Sequence, residues 1–332
     1  LLCYAILSGP DYSLSLDEIA ALLEIYGSGS RPEASRRIAI FECQREDLER
    51  IAKRASYSKE VGRVITITED VSKFDPSLLA GEFSGLEFKV DSEGFGPMTK
   101  KLIDASLGEL ILRHSPGSRV NLQGPRKVLR VLKDDGVDGR IIFGVRSGRV
   151  KGGWRERRPR ARPFFHPVAM FPKLSRLMVN LARVKSGDIF LDPCVGTGSL
   201  LLEATEMQIE SLGMDVSKRM LFGASRNLRG YAAENWHILQ GDARRIPLRC
   251  VSGVATDVPY GRASPTRGGV SEHIEERILD ECGSLLKKGG YLVMMTSSIS
   301  GVHDRGSLRL VSSYDLYVHR SLTRKLSVYR NE

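Results

Sequence analysis

Long apolar runs are missing from this chain of 332 residues. None approaches the roughly 18 residues that span a bilayer, so no membrane-spanning helix is expected. The apolar start, LLCYAIL, is short and lacks the basic flank of a secretory signal. Cysteine is scarce. Cys3, Cys43, Cys194, Cys250 and Cys282 lie far apart and form no CxxC pair. That speaks against a zinc site or a disulfide framework, and it fits a reducing, cytoplasmic setting. Internal repeats and low-complexity tracts are absent as well. With 41% hydrophobic and 27% charged residues, disorder, a collagen-like repeat and a coiled-coil rod are excluded.

What is present is positive charge, unevenly spread. Lys and Arg number 50 against 40 Asp and Glu, a formal net charge of +10. Residues 1–100 are net −5, residues 101–200 net +12 and residues 201–332 net +3. A basic belt in mid-chain suggests a polyanion lying across a domain junction. Its densest part, KGGWRERRPRARP (151–163), holds Lys151, Arg155, Arg157, Arg158, Arg160 and Arg162 against one acid, Glu156. Two Gly and two Pro keep it out of helix interiors and central strands. It reads as an inter-domain linker whose guanidinium forks would grip phosphates. Trp154 and Arg155 would either stack on RNA or dock the linker.

Beyond the linker, strand and helix patterns alternate. DIFLDP (188–193), LGMDVS (212–217), WHILQGDA (236–243), VSGVATDVPYG (251–261) and YLVMMTSS (291–298) read as strands. Residues 199–208, 218–230 and 271–290 read as helices between them, the last with an N-cap Ser271, early acids and late lysines. Such alternation predicts a parallel sheet covered on both faces. The end, around SLTR, reads as an antiparallel hairpin. Residues 1–150 read as α+β, in two small subdomains, with helices over 14–27, 46–56 and 97–113.

The chemistry concentrates at strand ends. LDPCVGTGSLLLEA (191–204) joins a strand to a helix through Gly196 and Gly198. Glycine lets the backbone approach a ligand, and a helix start offers free amides. Alone, such a turn also suits dinucleotide enzymes or plain tight turns. Asp215 ends the next strand, where an acid can bind ribose hydroxyls, and Asp242 follows the third. With Asp192, three acids line the ligand-binding edge. Phosphates would be repelled there, whereas a sulfonium, an amino group and an adenine amine would be welcome. S-adenosylmethionine fits that description. Asp257-Val258-Pro259-Tyr260 ends the fourth strand and resembles the [DN]PP[YF] motif of methyltransferases acting on exocyclic base amines. A carboxylate and a backbone carbonyl would accept the amine's two N–H groups, and a tyrosine would stack on the extruded base. Cys194 reads as a packing residue, and His166 as a buried, hydrogen-bonded residue and not a base.

Taken together, RPFFHP (162–167), the D-P-x-x-G-T-G turn and TDVPYGRASPTRGG (256–269) resemble the family of tRNA guanosine-10 N2-methyltransferases of archaea and eukaryotes. The resemblance implies a class I Rossmann-like methyltransferase domain over 164–332, with a seven-stranded α/β sheet ending in an antiparallel hairpin. Before it would come ferredoxin-like and THUMP-like tRNA-binding domains over 1–150 and the basic linker 151–163. It implies that Phe165, His166 and Pro167 sit near the cofactor. Asp192, Gly196 and Gly198 would line its methionine part, Asp215 the ribose and Asp242 the adenine, with Pro193, Cys194, Thr197, Val216, Gly241 and Ala243 beside them. Asp257, Val258, Pro259 and Tyr260 would receive the base, and Arg262 would join the linker residues Lys151, Arg155, Arg157, Arg158, Arg160 and Arg162 on the RNA. Implied partners are S-adenosylmethionine and tRNA, with no metal and no membrane. A monomer is expected, with a small activating subunit as an option known among eukaryotic relatives. Alternatives are another tRNA guanosine, such as position 6, a DNA adenine-N6 methyltransferase, or an inactive tRNA-binding protein.

Overall fold

The computed structural model of the chain describes all residues except 10, 135, 137–138, 151, 259–271, 298–302 and 320–321, and it leaves out the side chains of 272–273, 318–319 and 322. It divides into two compact units, residues 1–151 and 152–332.

The first unit begins with β1 (Leu2–Leu7), α1 (Tyr12–Ile25), β2 (Glu33–Ser35), β3 (Ile38–Glu42), α2 (Arg45–Arg54) and β4 (Ser58–Thr68). Their antiparallel order, β2-β3-β1-β4, is the ferredoxin-like arrangement. Asp11 starts α1 by accepting from the Ser13 amide at 2.8 Å, a typical N-cap. Acids Glu46 and Asp47 open α2 and bases Lys53 and Arg54 close it, in accord with the helix dipole. Leu22, Leu23, Leu48 and Ile51 of the helices bury against Cys3, Ala5 and Phe41 of the strands. Then follow β5 (Glu87–Glu93), α3 (Pro97–His114), β6 (Arg119–Val120), β7 (Lys127–Lys133) and β8 (Ile141–Arg149). β5 runs parallel to β6 and β7, in keeping with a THUMP-like half. The expected two subdomains turn out to share one eight-stranded sheet, because β8 pairs with β4. At 11 residues, β4 is long enough to serve both halves. Arg130 of β7 is buried on this sheet and donates to Glu60 at 2.7 Å and Glu93 at 2.6 Å. A buried guanidinium is tolerable when its donors are met in this way.

The second unit contains α4 (Pro172–Leu181), β9 (Ile189–Asp192), α5 (Ser199–Thr205), β10 (Glu210–Asp215), α6 (Lys218–Gly230), β11 (Trp236–Gln240), β12 (Val251–Asp257), α7 (Glu272–Leu285), β13 (Leu286–Ser297), β14 (Leu308–His319) and β15 (Leu322–Asn331). The sheet order is β11-β10-β9-β12-β13-β15-β14. The first five strands are parallel, β15 runs antiparallel to β13, and β14 runs antiparallel to β15. This is the Rossmann-like sheet with its terminal hairpin. The order reverses between β9 and β12, which makes the carboxyl end of β9 the switch point where such sheets bind ligands.

Two elements depart from the sequence reading. Helix α4 lies in a stretch where the sequence pattern marks no element, and its apolar face, including Leu177, Met178 and Leu181, is buried. The expected helix over 271–290 stops at Leu285, and Lys287 and Lys288 belong to β13. Leu286 pairs with Val251 and enters the core, and that pairing outweighs the helical pattern. Among the described residues no helix is long and apolar enough to cross a membrane.

Candidate active site

β9 carries Asp192 to the switch point, and a tight turn follows. The Val195 amide donates to Met214 O at 2.8 Å, and Gly198 N to Val195 O at 2.8 Å. Gly196 and Gly198 sit at φ +49° and +80°, the left-handed region that glycine enters without penalty. Among the described residues a Cβ on Gly196 would find nothing nearer than 3.9 Å, which leaves its face open to a ligand. Asp215, at the end of β10, accepts from Gly196 N at 3.0 Å and Ser217 N at 2.8 Å. One carboxylate thereby ties the glycine turn to the start of α6. Thr197 is buried, and its carbonyl accepts from Asn227 Nδ2 at 2.9 Å. Asn227 also exchanges hydrogen bonds with both backbone groups of Phe164. The Phe164 ring lies where a Cβ on Gly223 would be, 2.2 Å from that position. The RPFFHP stretch is thus tied to α6 and, through Asn227, to the glycine turn.

The electrostatics of this edge are unusual. Asp192 is 2% exposed and, among the described residues, accepts from Thr256 Oγ1 at 3.0 Å and Cys194 N at 3.2 Å. Burial, with smaller contributions from Asp257 and Asp215, pushes its carboxyl up to about 8. A buried acid without a cation is costly, and a positively charged ligand would relieve it. Phe165, Pro167 and Val216 are exposed apolar side chains. Nδ1 of His166 is buried without a hydrogen-bond partner among the described residues, which departs from the hydrogen-bonded histidine expected. These features fit a cationic nucleoside with an apolar body better than a phosphate-rich one. Burial also pushes the Cys194 thiol far above its ordinary value, which leaves little thiolate for nucleophilic work. Pro193 is buried beside it.

Beyond β11, Gly241 N donates to Asp215 O at 3.1 Å, and Ala243 is buried. Asp242 is partly exposed and engaged by Arg244, with Nη2 at 2.6 Å and Nε at 3.0 Å. These bonds hold its carboxyl below the usual range. Asp257, at the end of β12, is gripped by both terminal nitrogens of Arg324, one of them 3.0 Å from Oδ2. Val258 is buried, and its amide donates to Met295 O at 3.0 Å. Pro259, Tyr260, Arg262 and Lys151 lie outside the described residues.

The basic segment is not a uniform phosphate-binding tether. Arg155, Arg158 and Arg160 are exposed, but Arg157 and Arg162 point inward. Arg157 Nε donates to Glu203 Oε1 at 2.8 Å. Arg162 donates to Ser199 Oγ at 2.6 Å, Met170 O at 3.0 Å and Arg157 O at 3.0 Å. Trp154 lies 5.6 Å from both Arg157 and Arg176 and docks the segment. The two inward arginines are consumed by α5, the helix that follows the glycine turn, so they cannot serve as phosphate ligands. Sequence reasoning also missed Thr256, Asn227, Glu203, Arg176 and Arg324. They act through contacts distant along the chain, and no local motif marks them.

Comparison with known proteins bears on this geometry. A family model described as an RMKL-like methyltransferase domain matches residues 159–324. The tRNA (guanine(10)-N2)-dimethyltransferase of Methanothermobacter thermautotrophicus is 31% identical over 305 residues, covering 89% of each chain. The protein of the same name from Methanocaldococcus jannaschii is 27% identical, covering 98% of each. The crystal structure of TrmN from Thermus thermophilus aligns along the whole of both chains, with a TM-score of 0.53 at 17% identity, a likeness of fold.

Proposed function

Because this chain belongs to the family of tRNA (guanine(10)-N2)-dimethyltransferases, we propose that it methylates the exocyclic N2 amine of guanosine at position 10 of tRNA, using S-adenosylmethionine. The observation that carries the reading is the arrangement at the switch point. A buried, cation-hungry Asp192 stands beside an open glycine turn, and the carboxylate of Asp257 lies at the end of the adjacent strand. Asp192, Asp215, the Gly196–Gly198 turn, His166 and Phe165 would hold the cofactor, and Asp242 would reach its adenine once released from Arg244. Bound there, S-adenosylmethionine supplies an electrophilic methyl group on a sulfonium.

The chain's own residues prepare the nucleophile. A guanine amine is conjugated to its ring and is weakly nucleophilic. Asp257 accepts one of its N–H groups and the Val258 carbonyl the other, which turns the nitrogen lone pair toward the methyl group. As positive charge develops on nitrogen, Asp257 takes the proton. The pairing of Val258 N with Met295 O anchors the strand end that presents both acceptors. Tyr260 would stack on the extruded guanine. The first unit would hold the tRNA, together with the exposed Arg155, Arg158 and Arg160. In this proposal the working protein is a cytoplasmic monomer that can add a second methyl group to the same nitrogen.

The test is incubation of the full chain with unmodified tRNA transcripts and labelled S-adenosylmethionine, followed by nuclease mapping of the product. N2-methylated guanosine at position 10 is expected. Methylation only at position 6 would overturn the assignment of the site, and methylated adenine would overturn the amine chemistry. Addition of a small activating methyltransferase subunit to the same assay reads whether the chain works alone. Asp257→Ala should lower the single-turnover rate about 10²- to 10³-fold, the size expected for losing a charge-assisted hydrogen bond made mainly in the transition state.

A further inference from the structure

We propose that Arg324 is a positioning residue for methyl transfer: its two-pronged grip sets the plane and the charge of the Asp257 carboxylate that receives the guanine amine. The inference rests on the functional reading above and deepens it. Strand register shows how a residue of the last hairpin reaches the site. Asp257 of β12 pairs with Met295 of β13, and Met295 pairs with Leu326 of β15. Arg324 stands two positions from Leu326, opposite Ser297, and so shares its face of the sheet. From there it reaches past the end of β13 to Asp257. Its side chain is 10% exposed and that of Asp257 24%.

The contact uses both terminal guanidinium nitrogens, one on each carboxylate oxygen. That fork geometry belongs to arginine and cannot be reproduced by a point charge. Each carboxylate oxygen has two lone-pair positions. Arginine occupies one on each, so an amine can still be received without breaking the pair. Among the described residues the acids Asp192, Asp215 and Asp242 share this edge, the last of them paired with Arg244. Asp192 of β9 interacts electrostatically with both Asp257 and Asp215 of β10. Arg324 is the cation that pairs with Asp257 among these acids. Burial drives the Asp257 carboxyl above its ordinary range, and both contributions of Arg324 oppose that rise. Without Arg324 the carboxyl would take up its proton at higher pH and be lost as an acceptor. In the reaction the N–C bond forms, the C–S bond breaks with its electron pair going to sulfur, and the amine proton passes to Asp257.

The experiment measures single-turnover methylation of unmodified tRNA by the full chain from about pH 5 to about pH 9, for wild type, Arg324→Met and Arg324→Lys. The acid limb reports deprotonation of the required carboxylate. Arg324→Met should lower the rate near neutrality about tenfold or more and shift the acid limb upward by about one pH unit, so that the part of the loss due to protonation, and not the part due to the missing fork, recovers at high pH. Arg324→Lys keeps the charge but loses the fork, so its rate should fall while its acid limb stays close to wild type. Affinity for S-adenosylmethionine, read by calorimetry, should stay within about twofold in both variants. A wild-type rate and limb in Arg324→Met would overturn the proposal, as would a loss of rate equal at every pH, which a purely structural role would give. Should Arg324→Met not fold, Arg324→Lys decides: a wild-type rate there overturns the role of the fork. If wild type itself methylates no guanosine, the functional reading fails instead, and the two failures are distinguishable.

Discussion

Replacing Glu203 should test whether the basic segment is part of the methyltransferase core or a solvated tether. Glu203 sits on α5 with its side chain 1% exposed. Arg157 donates to it at 2.8 and 3.0 Å and Arg176 at 2.9 and 2.8 Å. Both arginines are themselves 9% or less exposed in their side chains. Glu203→Ala leaves two buried guanidiniums without their shared carboxylate. Breaking a buried pair costs about 3–5 kcal/mol. Arg157 keeps a partly exposed Glu206 at 3.5 Å and the Gly152 carbonyl, so about 3–4 kcal/mol is expected. Glu203→Gln keeps one acceptor oxygen and should lose less. The combined replacement Arg157→Met, Arg176→Met, Glu203→Leu should recover part of the loss, since no charge is left stranded. The assay is urea denaturation of the full chain followed by tryptophan fluorescence. The chain's two tryptophans, Trp154 and Trp236, both lie in the second unit, so the signal reads that unit alone. A loss below about 1 kcal/mol for Glu203→Ala, the value of an exposed pair, would refute the reasoning and return the segment to solvent.

Three further outcomes are expected. Arg155, Arg158 and Arg160 changed together to Ala should weaken tRNA binding and flatten its log–log salt dependence by about 2–3 units, whereas Arg157→Ala should chiefly lower stability; filter binding across a salt series separates them. Asp192 has a folded-state value of about 8 against about 3.9 unfolded. Its proton is therefore held by the folded state and lost by the unfolded one between those limits, so ligand-free wild type loses stability as pH rises from about 4 to about 8. Asp192→Asn should escape that loss and gain on wild type by a few kcal/mol across the window; a gap that stays flat in denaturation at several pH values would contradict it. Gly223→Ala places a methyl against the Phe164 ring, so it should displace the RPFFHP stretch and weaken S-adenosylmethionine binding in calorimetry, and an unchanged affinity would show that the stretch does not shape the cofactor site.

How far the chain announces itself depends on whether a feature is local. The glycine turn between Asp192 and Ser199 is local chemistry: positive φ demands glycine, and the following apolar pattern demands a helix. The placement of acids at Asp192, Asp215 and Asp242 follows from strands short enough to count. The parallel core and its antiparallel end likewise follow from residue periodicity and turn residues. The sequence alone therefore determined the Rossmann-like class, and with it the proposed cofactor edge and the motif of the proposed base pocket. Tertiary structure decided the rest. Whether an arginine in RERRPRARP faces water or Glu203 depends on an acid 46 residues away along the chain, and a charge run contains no record of it. The union of the first unit into one sheet required the meeting of β4 and β8, residues that no short pattern relates. Leu286 left a plausible helix for a strand because Val251 offered it backbone partners and a core. Arg324 met Asp257 across 67 residues because two strand registers brought them to one edge. Local patterns encode dihedral preference and amphipathic period, whereas ion pairing and strand pairing are settled only when the whole chain has closed on itself.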